Sequence, residues 1–203
     1  MDTIVVEPRI NTRRYILIGA GAGLAWGIAM RAWMRYISVQ PEFTWSGTLF
    51  ILGASTIMGT ALGFAWHRRA VGGVGWWRLA ALTLILVGAG GAVMWPAVIF
   101  GGLALGRPWK PWIRVSLGAI AVGSQFPVIT GIADNWKFGF IQIVFATLMY
   151  VPLLFAETWA FSVVFRPSKS ERPTPIALRI VLVVLSMTAL GLLALAVGMA
   201  VDV

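Results

Sequence analysis

Between Leu79 and Leu105 the chain reads LAALTLILVGAGGAVMWPAVIFGGLAL. No charge interrupts it, and about 20 apolar residues suffice to carry a helix across the hydrocarbon of a bilayer. Its middle, however, is Gly88-Ala89-Gly90-Gly91 followed by Trp95-Pro96. Backbone freedom and a missing N–H together interrupt a helix. The reading of this stretch decides the fold. As one tilted span it leaves its two ends on opposite sides of a membrane. As a broken, re-entrant element it brings both back to the same side, with its irregular backbone covered by protein or water.

The rest of the chain repeats the apolar theme. Six long stretches stand out: Tyr15–Val39, Trp45–Trp66, Leu79–Leu105, Ile113–Ala133, Phe138–Phe165 and Ile176–Val201. The connections are short, so neighbours are expected to form antiparallel hairpins. Over the 203 residues, 59% are hydrophobic and 11% charged, and mean hydropathy is +0.87. A soluble chain carries about 25% charged residues. That deficit excludes a soluble enzyme, a disordered tail and a free nucleic-acid-binding module. The expected fold is all-α, a polytopic integral membrane helix bundle of six hydrophobic segments, the third and fifth broken or kinked. One transmembrane domain over residues 15–203 follows a cytoplasmic segment, 1–14. The lipid bilayer, in a plasma membrane, is its expected partner, with other membrane subunits as a further class and an unspecified small-molecule substrate.

Charge then serves as topology information. The formal net charge of +9 does not point to nucleic acid in such a chain, because Lys and Arg gather in cytoplasmic loops. Arg9, Arg13 and Arg14 place the N-terminus in the cytoplasm, and Arg68, Arg69 and Arg78 mark the next return. With six full spans the remaining clusters (Arg107, Lys110, Arg114; Arg166, Lys169, Arg172, Arg179) fall outside and the bias vanishes. If residues 79–105 turn back, thirteen of the sixteen basic residues lie on one side and only Lys137 faces the other. Both topologies stand open on sequence alone.

The chemistry available is narrow. There is no Cys and one His, so no thiolate metal site, disulfide or imidazole cluster is expected, and neither metal nor cofactor. Paired carboxylates are also missing, which argues against an enzyme. Two arginines, Arg31 and Arg35, sit one turn apart inside the first apolar stretch, and Glu157 is the one acid well inside another. Charges at such depth are costly and mark function or structural pairing. Either the arginines snorkel to headgroups, or one pairs with Glu157. Gln125 and Tyr150 complete a polar set that would line a ligand or ion pathway, with Pro127 and Pro152 as kinks. Trp and Tyr near the stretch ends, Tyr15, Trp33 and Trp66 among them, read as interfacial anchors. Small residues at four-residue spacing, Gly19/Gly23/Gly27 and Ser55/Gly59/Gly63, read as helix–helix seams.

In the loop after the first stretch, Glu42 is placed to neutralise an arginine, and Trp45 opens the second stretch. The string from Arg31-Ala32-Trp33-Met34-Arg35 through Pro41-Glu42-Phe43 to Trp45-Ser46-Gly47-Thr48 resembles a stretch in uncharacterised polytopic membrane proteins of high-GC Gram-positive bacteria. The resemblance implies membrane location and no activity. On residues alone, a small transporter or channel-like protein using intramembrane Arg and Glu stands beside a non-catalytic membrane subunit or sensor on a larger complex. A lipid-modifying intramembrane enzyme is the third class.

Overall fold

The computed structural model describes residues 11–38, 43–72, 75–87, 92–134 and 139–167, together with Ile180 and Val184. The sixth stretch, Ile176–Val201, lies outside these apart from those two positions, as do Glu42, Lys137 and the residues before Asn11. Every regular element among the described residues is helical. Four helices are long and apolar enough to cross a membrane: Thr12–Ile37 (α1), Trp45–Val71 (α2), Pro111–Ala133 and Phe140–Phe165. Their outer faces carry large apolar side chains, Phe140 and Ile141 each 80% exposed, which in water would be a severe liability and in lipid is the favoured state.

Local chemistry explains where the helices begin and end. The Asn11 side chain accepts the N–H of Arg13 at 3.0 Å, an N-cap that starts α1 three residues ahead of Tyr15. For α2 the N-cap is Thr44, whose carbonyl accepts the Thr48 N–H at 3.1 Å. The helix also runs past Trp66 through His67-Arg68-Arg69, because cations are favoured in a last turn. It stops at Gly72, whose φ of 87° closes an N–H bond to Arg68 O at 2.9 Å. Asp134 ends the fourth segment, where its N–H bonds to Thr130 O at 2.7 Å.

α1 and α2 form an antiparallel pair with almost no side chain between them. A Cβ at Gly19 or Gly23 would overlap the backbone oxygens of Gly59 and Ser55, and one at Gly63 would overlap that of Tyr15. The small-residue stripes are thus a backbone-to-backbone seam, the closest approach two helices can make.

Gly88–Gly91, the expected break in the stretch 79–105, lie outside the described residues; on either side of them the backbone changes type, and a new helix opens at Trp95-Pro96. A 3-10 limb covers Gly75–Val87, a second short 3-10 turn covers Ala92–Met94, and α3 spans Trp95–Gly106. Thirteen residues is long for a 3-10 run. The fourth segment divides into α4 (Pro111–Gly123) and α5 (Phe126–Ala133) around Ser124-Gln125, with Pro127 in the first turn of α5. The fifth is α6, Phe140–Phe165, continuous through Pro152.

Both limbs of the broken stretch end at the same end of α6. Arg78, at the start of the 3-10 limb, has Nη2 3.5 Å from the Arg166 carbonyl. Gly106, at the close of α3, faces Ser162 and Phe165 so tightly that a Cβ would lie 2.6 Å from Ser162 O. Between them, Val93 reaches the level of Tyr150, since Gln125 bonds to both. The limb Gly75–Val87 and α3 therefore run out from and back to that end of α6. Their return collects the described basic clusters at one end: Arg13-Arg14 beside Thr12, which bonds to His67, Arg68-Arg69 next to His67, Arg78 and Arg166, and Arg107 beyond α3. Arg114 joins them through its Nε bond to Ala104 O at 2.9 Å.

Candidate functional site

The polar residues singled out by sequence divide into three places. Arg31 is half-buried, its Nε donating to Thr48 Oγ1 at 3.2 Å. Thr48 donates in turn to the Thr44 carbonyl at 2.9 Å. Arg35 is exposed and lies 5.3 Å from the centroid of Phe43, a cation–π contact. Phe43 packs edge-on against Trp45, itself 71% exposed. The two arginines thus hold the turn between α1 and α2 at the end of the bundle remote from the other basic clusters.

Gln125 and Tyr150 do come together. Tyr150 Oη donates to Gln125 Oε1, while Gln125 Nε2 donates to Ser124 Oγ at 2.9 Å and to the Val93 carbonyl at 3.2 Å. Trp33 stacks on Tyr150 with centroids 4.8 Å apart and donates Nε1 to the Ala146 carbonyl at 2.9 Å. Trp33 is therefore not the interfacial anchor that its place near a stretch end suggests. It is a buried strut, 4% exposed, joining α1 to α6. This cluster fastens the apex of the re-entrant element to the α4–α5 break; every amide group of Gln125 is engaged.

Glu157 stands apart from both. Trp26 Nε1 bonds to Leu153 O at 3.0 Å and Trp33 to Ala146 O, which fixes the antiparallel register of α1 on α6. In that register Glu157 is level with Ala22, about 13 Å along the axis from Arg31 at 1.5 Å per residue. The Arg31–Glu157 pair weighed from sequence is not formed. Glu157 is 3% exposed, and its Oε2 is buried with no hydrogen-bond partner. A carboxyl in that position must carry a proton or acquire a cation.

The space beside it is a cavity of about 410 Å³ between α1, α2 and α6. Its origin is the glycine seam. Gly19, Gly23, Gly59 and Gly63 let α1 and α2 close on each other, and their backbone forms one wall of the cavity. Tyr15, Trp26, Trp66 and Trp159 surround the remaining volume, with Glu157 in its wall. Ile18, on the cavity's α1 edge, is 60% exposed, and Trp159, on its α6 edge, 50%, so the cavity opens sideways between α1 and α6 toward the lipid-facing surface.

At the basic end the cavity is closed by aromatic and cationic groups. Tyr15 lies 5.6 Å from the His67 ring, and His67 Nε2 is 2.7 Å from Thr12 Oγ1. Trp66 and Trp159 are 5.3 Å apart. The Arg166 guanidinium sits 4.7 Å from the Trp66 centroid. Partial burial, and then the nearby charge of Arg69, push Arg166 below the usual guanidinium range.

Trp26 and Trp159 were not among the residues that sequence reasoning picked out. A signal existed for Trp26: it lies eleven positions after Tyr15, too deep for an interfacial belt to explain. Gly101, Gly102 and Gly106, which seat α3 against α6, were likewise not singled out. Among the described residues no group of His, Asp and Glu is arranged to hold a metal ion. Comparison with protein-family models, curated proteins and solved structures returns no match.

Proposed function

We propose that this chain is a small membrane transporter in which the Glu157 carboxyl, exchanging a proton for a solute, governs occupancy of the cavity between α1, α2 and α6. The observation that carries the reading is Glu157, a residue of the wall of a space large enough for a ligand, whose buried Oε2 has no hydrogen-bond partner. Pockets of roughly 300–1,000 Å³ with few polar groups are the ordinary form of a small-molecule site. An intramembrane acid with no structural partner is more economically explained by a passing charge than by packing, since a Leu would fill the volume without the desolvation cost. A bounded cavity also favours a binding-and-release cycle over a permanently open pore.

The basic end faces the cytoplasm on the positive-inside rule, which puts the N-terminus there and the Arg31–Thr48 turn outside, in a plasma membrane. In this reading Arg31 and Arg35 anchor the external turn and take no part in the pathway. The Gln125–Tyr150–Trp33 cluster ties α1, α6 and the α4–α5 break into one fixed frame at the end of the cavity away from the basic clusters.

Purified protein in liposomes tests this. With an imposed proton gradient, the reading expects one class among amphiphilic cations, neutral amphiphiles and amphiphilic anions to move against its own gradient. Glu157→Gln should abolish that movement while remaining monodisperse. Equal fluxes of all three classes in wild-type, Glu157→Gln and protein-free vesicles would refute it, and leave the reading of a non-catalytic subunit of a larger complex.

A further inference from the structure

The geometry points to a lipophilic organic cation, its charge spread over or flanked by rings, as the occupant of the cavity between α1, α2 and α6. The inference rests on the reading of that cavity as the solute site and adds the class of solute.

Three observations carry it. First, the walls offer four aromatic side chains, Tyr15, Trp26, Trp66 and Trp159, and one acid, Glu157. The indole N–H of Trp26 is already committed to Leu153 O. A sugar or an anion needs several converging donors, and this wall does not supply them. A cation needs aromatic faces and a counter-charge, and both are present. Second, Glu157 is buried and its Oε2 lacks a partner, so a neutral acyl chain would leave it uncompensated where a cation would not. Third, the protein already places a cation of its own on this rim. The Arg166 guanidinium lies over Trp66, which in turn packs on Trp159.

The surrounding charges narrow the class further. The titratable and charged groups on the elements packed around Glu157 are Arg13, Arg14, Tyr15, Arg31, Arg35 and Tyr36 on α1, His67, Arg68 and Arg69 on α2, and Arg78 on the 3-10 limb, of which Tyr15 lines the cavity. Tyr150 lies two turns away on α6, with Arg166 just past its end; α3 contributes none. Arg69, Arg78 and Arg166 make the closed basic end repulsive to a compact hydrated cation. The sideways opening past Ile18 and Trp159 instead admits a cation that partitions into the acyl region. Proton and cation compete for one carboxyl, so affinity falls as pH falls.

The test is equilibrium dialysis of radiolabelled tetraphenylphosphonium against the full chain in phosphatidylcholine nanodiscs, with empty nanodiscs subtracted. Saturable binding is expected, at least about ten-fold tighter in wild type than in Glu157→Gln, and weaker at about pH 5 than at about pH 8. Trp26→Leu, which removes a ring and keeps the acid, should weaken it by a smaller factor. Tetraphenylborate, with the same shape and opposite charge, should not bind saturably. Equal binding of the borate, or wild-type affinity in a monodisperse Glu157→Gln protein, would overturn the inference. Saturable, Glu157-dependent phosphonium binding without gradient-driven flux supports the inference while removing the transporter reading. Flux of another solute class without phosphonium binding overturns the inference and spares that reading.

Discussion

α1 meets two helices, and it meets them in opposite ways. Against α2 it presents glycine to glycine, with Gly19, Gly23 and Gly27 set on Gly63, Gly59 and Ser55 and no room for a single added carbon. Against α6 it presents indoles, Trp26 and Trp33, each donating to a backbone carbonyl and holding the helices apart. The first contact is dry and shape-determined; the second is spaced and hydrogen-bonded, and it leaves a cavity with an acid in it. Close packing of one pair is what makes the space beside it, because a helix stripped of side chains on one face cannot fill its neighbour's groove.

Breaking the tight contact should have the largest effect. Gly59→Leu places its side chain into the Gly19 and Gly23 backbone, where a Cβ would already lie 2.7 Å from Gly23 Cα. A loss well above the 1–3 kcal/mol of ordinary overpacking, about 4 kcal/mol or more, is expected, seen as failure to elute as a monodisperse species in detergent. Substitutions on the spaced contact should be milder. Trp33→Phe keeps a ring for Tyr150 but loses the bond to Ala146 O, and intramembrane hydrogen bonds average about 0.6 kcal/mol with a ceiling near 2; thermal unfolding followed by light scattering would register it. Glu157→Gln removes an uncompensated carboxyl and should match or exceed the wild-type melting temperature while losing cation binding. A clear drop in stability would mean that the acid has a structural partner. The smallest effect belongs to Gly21→Ala. Nothing lies within 4 Å of an added carbon there, so the change should stay within about 0.5 kcal/mol although Gly21 sits between two seam glycines.

That last contrast marks how far the sequence was readable. The seams, the new helix opening at Trp95-Pro96, and the gathering of the described basic clusters at one end are all written in local patterns of residue type and spacing. Backbone flexibility and charge placement act over a few residues, so a linear reading captures them. The nearness of Arg78 and Gly106 at one end of α6 rests on contacts distant in sequence, which no local pattern encodes. The site was legible only as an inventory. Glu157 was identified as an unusual acid, but its expected partner was not, because depth depends on the register between α1 and α6. That register is set by indole-to-carbonyl bonds spanning more than a hundred positions. It puts Arg31 beside the α2 turn and Glu157 beside glycines. The aromatic lining escaped notice because Trp66 and Tyr15 resemble interfacial anchors when only their distance from a stretch end is considered.

The account stands on Glu157 exchanging a proton for a cation, and proton release reads that exchange directly. Wild-type protein in nanodiscs, in weakly buffered solution at mildly acidic pH, is titrated with tetraphenylphosphonium while a dye follows the solution pH. Protons should appear in proportion to cation bound, and Glu157→Gln should release none. Phosphonium binding with no proton release at any pH, or the same release from Glu157→Gln, would contradict it.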